Sequence, residues 1–196
     1  MTRRRPDSSA SRRVAVFGGS FNPPHVAHVL AVTYALSTAP VDEVLVVPVY
    51  KHPFAKELAS FEDRYEMCRL ALGWLPGVVV SDVERELGGE SRTLRTLTHL
   101  REAHPSWSLR LLIGADVLAE APKWHRFDRV TAIAEPLVLG RVGVDFEDAP
   151  SPVLPKISST EVRDALAANQ RGRVAAWVPS RVIRYIEAHG LYQREP

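Results

Sequence analysis

Five short apolar runs recur along this chain, and most of them stop at a glycine or a proline. They are residues 14–17 (VAVF), 43–47 (EVLVV), 78–81 (VVVS), 109–113 (LRLLI) and 136–139 (PLVL), followed in four cases by Gly18-Gly19, Pro48, Gly114 and Gly140. Stretches of helical periodicity fill the gaps: 25–37, a segment opening at Ser60 with Phe61, Met67, Leu70 and Ala71 on its apolar face, and 91–104. Apolar strands that alternate with helices need a parallel sheet covered on both faces. The expected fold is therefore α/β, a Rossmann-like doubly wound parallel sheet of about five strands, with a small helical part from Ser158 that stops at Gly190. Ligands of such sheets bind beyond the carboxyl ends of the strands, where the strand order reverses. The glycine-terminated ends lie on that edge.

At 196 residues the chain is long enough for one domain with a sizeable core. No apolar run approaches the roughly 20 residues of a membrane span. A single cysteine, Cys68, excludes a disulfide framework and a cysteine-only metal site. The net charge of +2 hides an asymmetry: residues 1–13 carry five arginines against Asp7, which leaves 20 basic and 22 acidic groups for the rest. Residues 1–13 read as a basic, disordered leader, and 14–196 as a single domain. No apolar stretch follows the leader, so it is not a secretory signal. A cytoplasmic location is expected, with no membrane or nucleic-acid partner, and a homo-oligomer is left open. Residues 48–59 lack periodicity and read as a mobile loop.

Two segments carry chemistry. In Gly18-Gly19-Ser20-Phe21-Asn22-Pro23-Pro24-His25-Val26-Ala27-His28 the glycines allow close backbone approach to a ligand. The prolines suit the opening of a helix, and His25 and His28, three apart, share one face near its N-terminus. That end has free N–H groups and partial positive charge, which makes it an anion site. The alternative is that the two rings only pack or cap. No spaced third ligand supports zinc, so no protein metal site is expected. In Ile157-Ser158-Ser159-Thr160-Glu161-Val162-Arg163, hydroxyls and an arginine gather at another helix start. The set suits a polyphosphate, and Ser158 with Glu161 equally fits a capping box.

Together the two segments resemble the nucleotidylyltransferase superfamily, marked by H-x-x-H after the first strand and I-S-S-T-x-x-R near the C-terminus. Within it the chain looks like the bacterial nicotinate-nucleotide adenylyltransferases over about residues 14–193. Supporting pieces are Gly114-Ala115-Asp116, Ser60-Phe61-Glu62-Asp63-Arg64 with Met67, and the ending from Trp177 to Tyr192. The resemblance implies ATP and nicotinate mononucleotide as substrates, with Mg²⁺ carried on the ATP phosphates. It implies that His25, His28 and Arg163 act in catalysis. Gly18, Gly19, Ser20, Phe21, Gly114, Asp116, Ile157, Ser158 and Ser159 would complete the ATP site, with Gly114 and Asp116 at the ribose. Asn22, Lys51, Lys56, Arg92, Thr93, Trp124 and Arg141 fall to the mononucleotide, with Trp124 stacking on the pyridine and Lys51 or Lys56 covering the phosphates.

The chain also departs from the family pattern. Arg92 stands where a tyrosine is usual, and so becomes a candidate partner for the nicotinate carboxylate. Gly140-Arg141-Val142-Gly143 replaces an R-P-G type turn. A phosphopantetheine adenylyltransferase shares both motifs and is the alternative enzyme, although the chain length, Trp124 and residues 91–97 argue against it. A nucleotide-binding regulator without turnover is the alternative of another class.

Overall fold

The computed structural model describes residues 11–52, 58–119, 124, 126–143 and 154–193. Strands β1 (Arg12–Gly19), β2 (Glu43–Pro48), β3 (Val78–Val80), β4 (Trp107–Gly114) and β5 (Glu135–Leu139) form one sheet in the order β3-β2-β1-β4-β5. Every pairing is parallel. The order reverses between β1 and β4, so the two glycine-ended strands meet at the crevice where such a sheet binds its ligands.

Side chains alternate across the sheet and build two cores. On one face Ala15, Phe17, Val44, Val46 and Leu112 pack with α1 (Val26–Thr38), α2 (Phe61–Leu72), α7 (Ser159–Ala167), α8 (Arg171–Trp177) and α9 (Ser180–Ala188). On the other, Val14, Val16, Leu45, Val47, Leu111 and Ile113 pack with α3 (Val83–Leu87), α4 (Thr93–Ala103) and α6 (Phe127–Ile133). All six residues of β2 are buried, as a strand covered on both sides requires. The small α5 (Ala115–Ala119) leaves directly from β4. The C-terminal helices are part of the first core, through Val162, Val174, Val182 and Ile186.

The structure corrects several expectations. Strand β1 starts at Arg12, so two of the five leader arginines belong to the sheet. Arg12 reaches Glu43 at 2.6 Å, and Arg13 grips Asp42 at 2.6 Å, which turns tail charge into ion pairs at the start of β2. Charges of this kind do not read as strand, yet this rim of β1 is exposed and tolerates them. Residues 1–10 lie outside the described residues, as do 53–57 of the expected loop. The prolines do not open α1: His25 is its N-cap, with an extended backbone at φ −143° and ψ 176°. Helices α3, α5 and α6, of five, five and seven residues, are too short to show a period. Helix α2 begins as expected, with the Ser60 hydroxyl accepting from the Asp63 N–H at 3.0 Å.

Candidate active site

A cavity of about 290 Å³ opens at the carboxyl ends of β1 and β4. Its walls include Gly18, Gly19, Ser20, Phe21 and Asn22, then His25 and His28, then Gly114, Asp116 and Arg141, and finally Ser158, Ser159, Thr160 and Arg163. The starts of two helices, α1 and α7, therefore converge on one space, each with N–H groups that its own turns leave unused.

His25 and His28 are N-cap and N3 of α1, the spacing of a capping box. The His25 backbone N–H donates to His28 Nδ1 at 3.0 Å. Because Nδ1 accepts, the His28 proton sits on Nε2, the nitrogen at the far edge of the ring. The two rings lie against each other, tilted by 33°, with centroids 3.8 Å apart, and Phe21 meets His28 edge-on at 5.0 Å. Burial first, then the Arg141 charge, lowers the His25 pKa to about 4. Burial, His25 and Arg141, in that order, hold His28 well below the ordinary histidine value. Both rings are thus neutral at pH 7. His25 is 4% exposed, and its Nδ1 has no hydrogen-bond partner among the described residues. A polar atom left in that state favours a ligand that brings a partner.

A stability consequence follows. The unfolded chain binds protons on these rings near pH 6.5, and the folded chain does not. Their contribution is complete above that pH and is lost as pH falls toward 4. Thermal melts from pH 7 to pH 4 should show stability falling, with His25 supplying a slope of about 1.4 kcal/mol per pH unit. His25→Gln should flatten the curve by that one proton. Parallel curves for the two proteins would reject the buried neutral ring.

On the opposite wall Ser158 caps α7. The Glu161 N–H donates to its Oγ at 3.2 Å, while Ser158 N–H and Oγ–H both donate to Glu161 Oε2, at 2.9 and 2.8 Å. The capping box expected as one reading is present, and the same residue lines the cavity. Hydrogen bonding to Ser158 lowers the Glu161 pKa. Ser159 Oγ donates to the Pro23 carbonyl at 2.9 Å, and Arg163 Nη1 donates to the Asn22 carbonyl at 2.8 Å. The two motifs, far apart in sequence, are stitched together by these bonds.

The other assigned residues have protein partners of their own or stand outside this cavity. Arg141 lies on the same cavity wall as the histidines. It pairs with the Asp116 carboxylate and donates to the Ile157 carbonyl, so Asp116 is already engaged. A Cβ on Gly114 would meet Asp116 Oδ1, so a larger residue here would have to displace the carboxylate that Arg141 holds. Ile157 contributes that carbonyl and a buried side chain. Asn22 lines the cavity, but its Oδ1 is taken by the Ala59 N–H at 3.0 Å and the Tyr192 hydroxyl at 2.8 Å. The cavity walls do not include Lys51, Arg92, Thr93 or Trp124. Arg92 pairs with exposed Glu90 at 2.9 Å, the carboxylate nearest in sequence. Trp124 packs edge-on to Phe127 at 5.8 Å against the second core. Lys51 is exposed, with Nζ 5.8 Å from the Tyr50 ring centroid. Lys56 lies outside the described residues.

Thr93 begins α4, which is joined to the cavity by a chain of backbone contacts. Val49 N–H donates to the Gly19 carbonyl at 2.9 Å. Tyr50 N–H, next along, donates to Ser91 Oγ at 2.8 Å and to Glu84 at 3.1 Å. The start of α4 thus stands on the same sheet edge, beyond β2. Sequence reasoning gave no role to Thr160, Arg64 or Tyr192, although all three lay inside quoted segments: Thr160 in the second motif, Arg64 and Tyr192 in the supporting pieces.

Comparison with known proteins places the chain in a family. The cytidylyltransferase-like family model matches residues 16–165. A protein of Anaeromyxobacter dehalogenans described as a "probable nicotinate-nucleotide adenylyltransferase" is 51% identical over 94% of this chain and 99% of its own. One of the same description from Thermus thermophilus is 38% identical over 92% of this chain and all of its own. The structure of Plasmodium falciparum nicotinic acid mononucleotide adenylyltransferase complexed with NaAD superposes with a TM-score of 0.81. It covers 92% of this chain and 97% of the other at 19% identity, a likeness of fold.

Proposed function

The chain belongs to the cytidylyltransferase-like family, and from that premise we infer that it transfers the adenylyl group of ATP to nicotinate mononucleotide. The products are nicotinate adenine dinucleotide and pyrophosphate. The observation that carries this reading is the cavity between the starts of α1 and α7, where neutral imidazoles, hydroxyls and a guanidinium face one space.

A mononucleotide phosphate oxygen attacks the α-phosphorus of ATP in line. A bond from phosphorus to that oxygen forms, the bond to the bridging oxygen breaks, and its electron pair leaves with pyrophosphate. A phosphate dianion is already nucleophilic, so no base is required and catalysis rests on position and charge. His28 Nε2–H and His25 meet the phosphates where negative charge builds. Ser158, Ser159 and Arg163 hold the β and γ phosphates, with Gly18 to Phe21 as the floor. Arg141 stands beside the histidines as a further cation. Gly114 and Asp116 border the adenosine side.

Mg²⁺ enters as part of the ATP substrate and keeps water as much of its shell. The wall chemistry suits that arrangement: it is rich in donors, and its Asp116 carboxylate is bound to Arg141. Among the described residues, no helix is long and apolar enough to cross a membrane.

Pyrophosphate release from ATP tests the reading with four acceptors: nicotinate mononucleotide, nicotinamide mononucleotide, phosphopantetheine and FMN. Release with nicotinate mononucleotide above the other three is expected, and release with phosphopantetheine alone overturns the reading. The acid form should win by about an order of magnitude, the scale of a charged hydrogen bond. Because Arg92 is held by Glu90 at the surface, Arg92→Ala should change the acid-to-amide ratio by less than about threefold. Loss of the preference in that variant would restore Arg92 to the carboxylate.

A further inference from the structure

Arg64 lies on α2, outside the cavity walls, and is 1% exposed. Among the described residues it has no carboxylate within ion-pair distance. A buried charge needs compensation, and here carbonyls supply it. Arg64 Nε donates to the Ala59 carbonyl at 2.9 Å, and Nη1 donates to the Ser20 carbonyl at 3.0 Å. The Phe61 ring centroid lies 5.8 Å from the guanidinium carbon. One side chain therefore joins the entry to α2 with the loop that floors the cavity.

The next residue makes that grip consequential. Phe21 has φ +46°, a left-handed backbone that a phenylalanine rarely adopts, and it is buried at 1% exposure. The Ser20–Phe21 peptide is trans, so its C=O and N–H point in opposite directions. With the carbonyl turned to Arg64, the Phe21 N–H faces away from it. That N–H has no hydrogen-bond acceptor among the described residues, and both Ser20 and Phe21 line the cavity. A turn with a left-handed residue and free amides is an anion-binding concavity.

We propose that Arg64 is a positioning residue, which orients the Ser20–Phe21 peptide so that its N–H serves the triphosphate. The proposal rests on the adenylyl-transfer reading for its substrate. Its direct readout, ATP binding compared with AMP binding, does not depend on turnover.

The test uses Arg64→Lys and Arg64→Ala in the full chain. An ammonium keeps the charge but lacks the planar fork that reaches two carbonyls at once. Arg64→Lys should weaken ATP binding and lower kcat by about tenfold each, while AMP binding and the KM for nicotinate mononucleotide stay within about twofold. Non-denaturing guanidinium should restore part of the ATP binding and turnover of Arg64→Ala. If Arg64→Ala does not fold, Arg64→Lys decides alone. Equal weakening of ATP and AMP, a Lys variant with wild-type kinetics, or a Lys variant that cannot fold would each overturn the proposal. A wild-type protein that binds ATP over AMP but releases no pyrophosphate would instead overturn the activity, and the variant binding ratios would still judge Arg64.

Discussion

His28→Ala is expected to lower turnover by about two to three orders of magnitude, the scale of losing one preorganised donor. His28 Nδ1 is committed to the His25 N–H, so its Nε2–H is presented in a single tautomer and rotation. Alanine removes that donor and leaves the His25 amide without its acceptor. ATP affinity should fall much less, because α7 and the Gly18–Phe21 floor still hold the phosphates. Steady-state kinetics on folded protein, with ATP binding measured separately, distinguishes the two effects. His28→Gln gives a partial control, since an amide donates a hydrogen bond with different reach. Turnover near wild type in His28→Ala would remove His28 from the mechanism.

Arg163→Ala should lower kcat/KM by roughly a hundredfold, since hydrogen bonds to charged groups contribute about 1.5–3 kcal/mol. The loss should fall on the triphosphate: ATP binding weakens while AMP binding barely changes. Arg163→Lys keeps the charge without the fork, so it should recover only part of the ATP affinity. The structure adds a competing demand, because Arg163 Nη1 also holds the Asn22 carbonyl. If that structural bond were its whole contribution, ATP and AMP would weaken together, and melting temperature would fall with them.

The strands and their glycine ends were legible because each apolar run answers to a buried, two-sided position. The paired motifs were legible too, because they stack distinctive residue types at two helix starts. What sequence could not show is who holds whom. Arg141 was assigned to the mononucleotide, yet Asp116 and the Ile157 carbonyl claim it across 25 and 16 residues. Asn22 looked free to bind, yet Tyr192, 170 residues on, occupies its oxygen. Arg64 sits in an amphipathic helix, where an arginine reads as a solvated face until the loops packed over it are known. Arg92 shows the same blindness at shorter range: the sequence does not say that its neighbour Glu90 pairs with it at the surface.

The double use of His25 sets a limit on improving this fold. An engineer seeking heat resistance would put serine or aspartate at the N-cap of α1, where an oxygen satisfies an amide that imidazole serves poorly. Such a change would also remove a ring with an unpartnered nitrogen, and with it that ring's share of the acid sensitivity. The same change would take away half of the imidazole pair that the phosphates meet. Selection for robustness and selection for catalysis therefore pull this one position in opposite directions. Thermostable variants of this protein should gather their gains on the far rim of the sheet, around the Arg12–Glu43 and Arg13–Asp42 pairs, and leave α1's first turn alone.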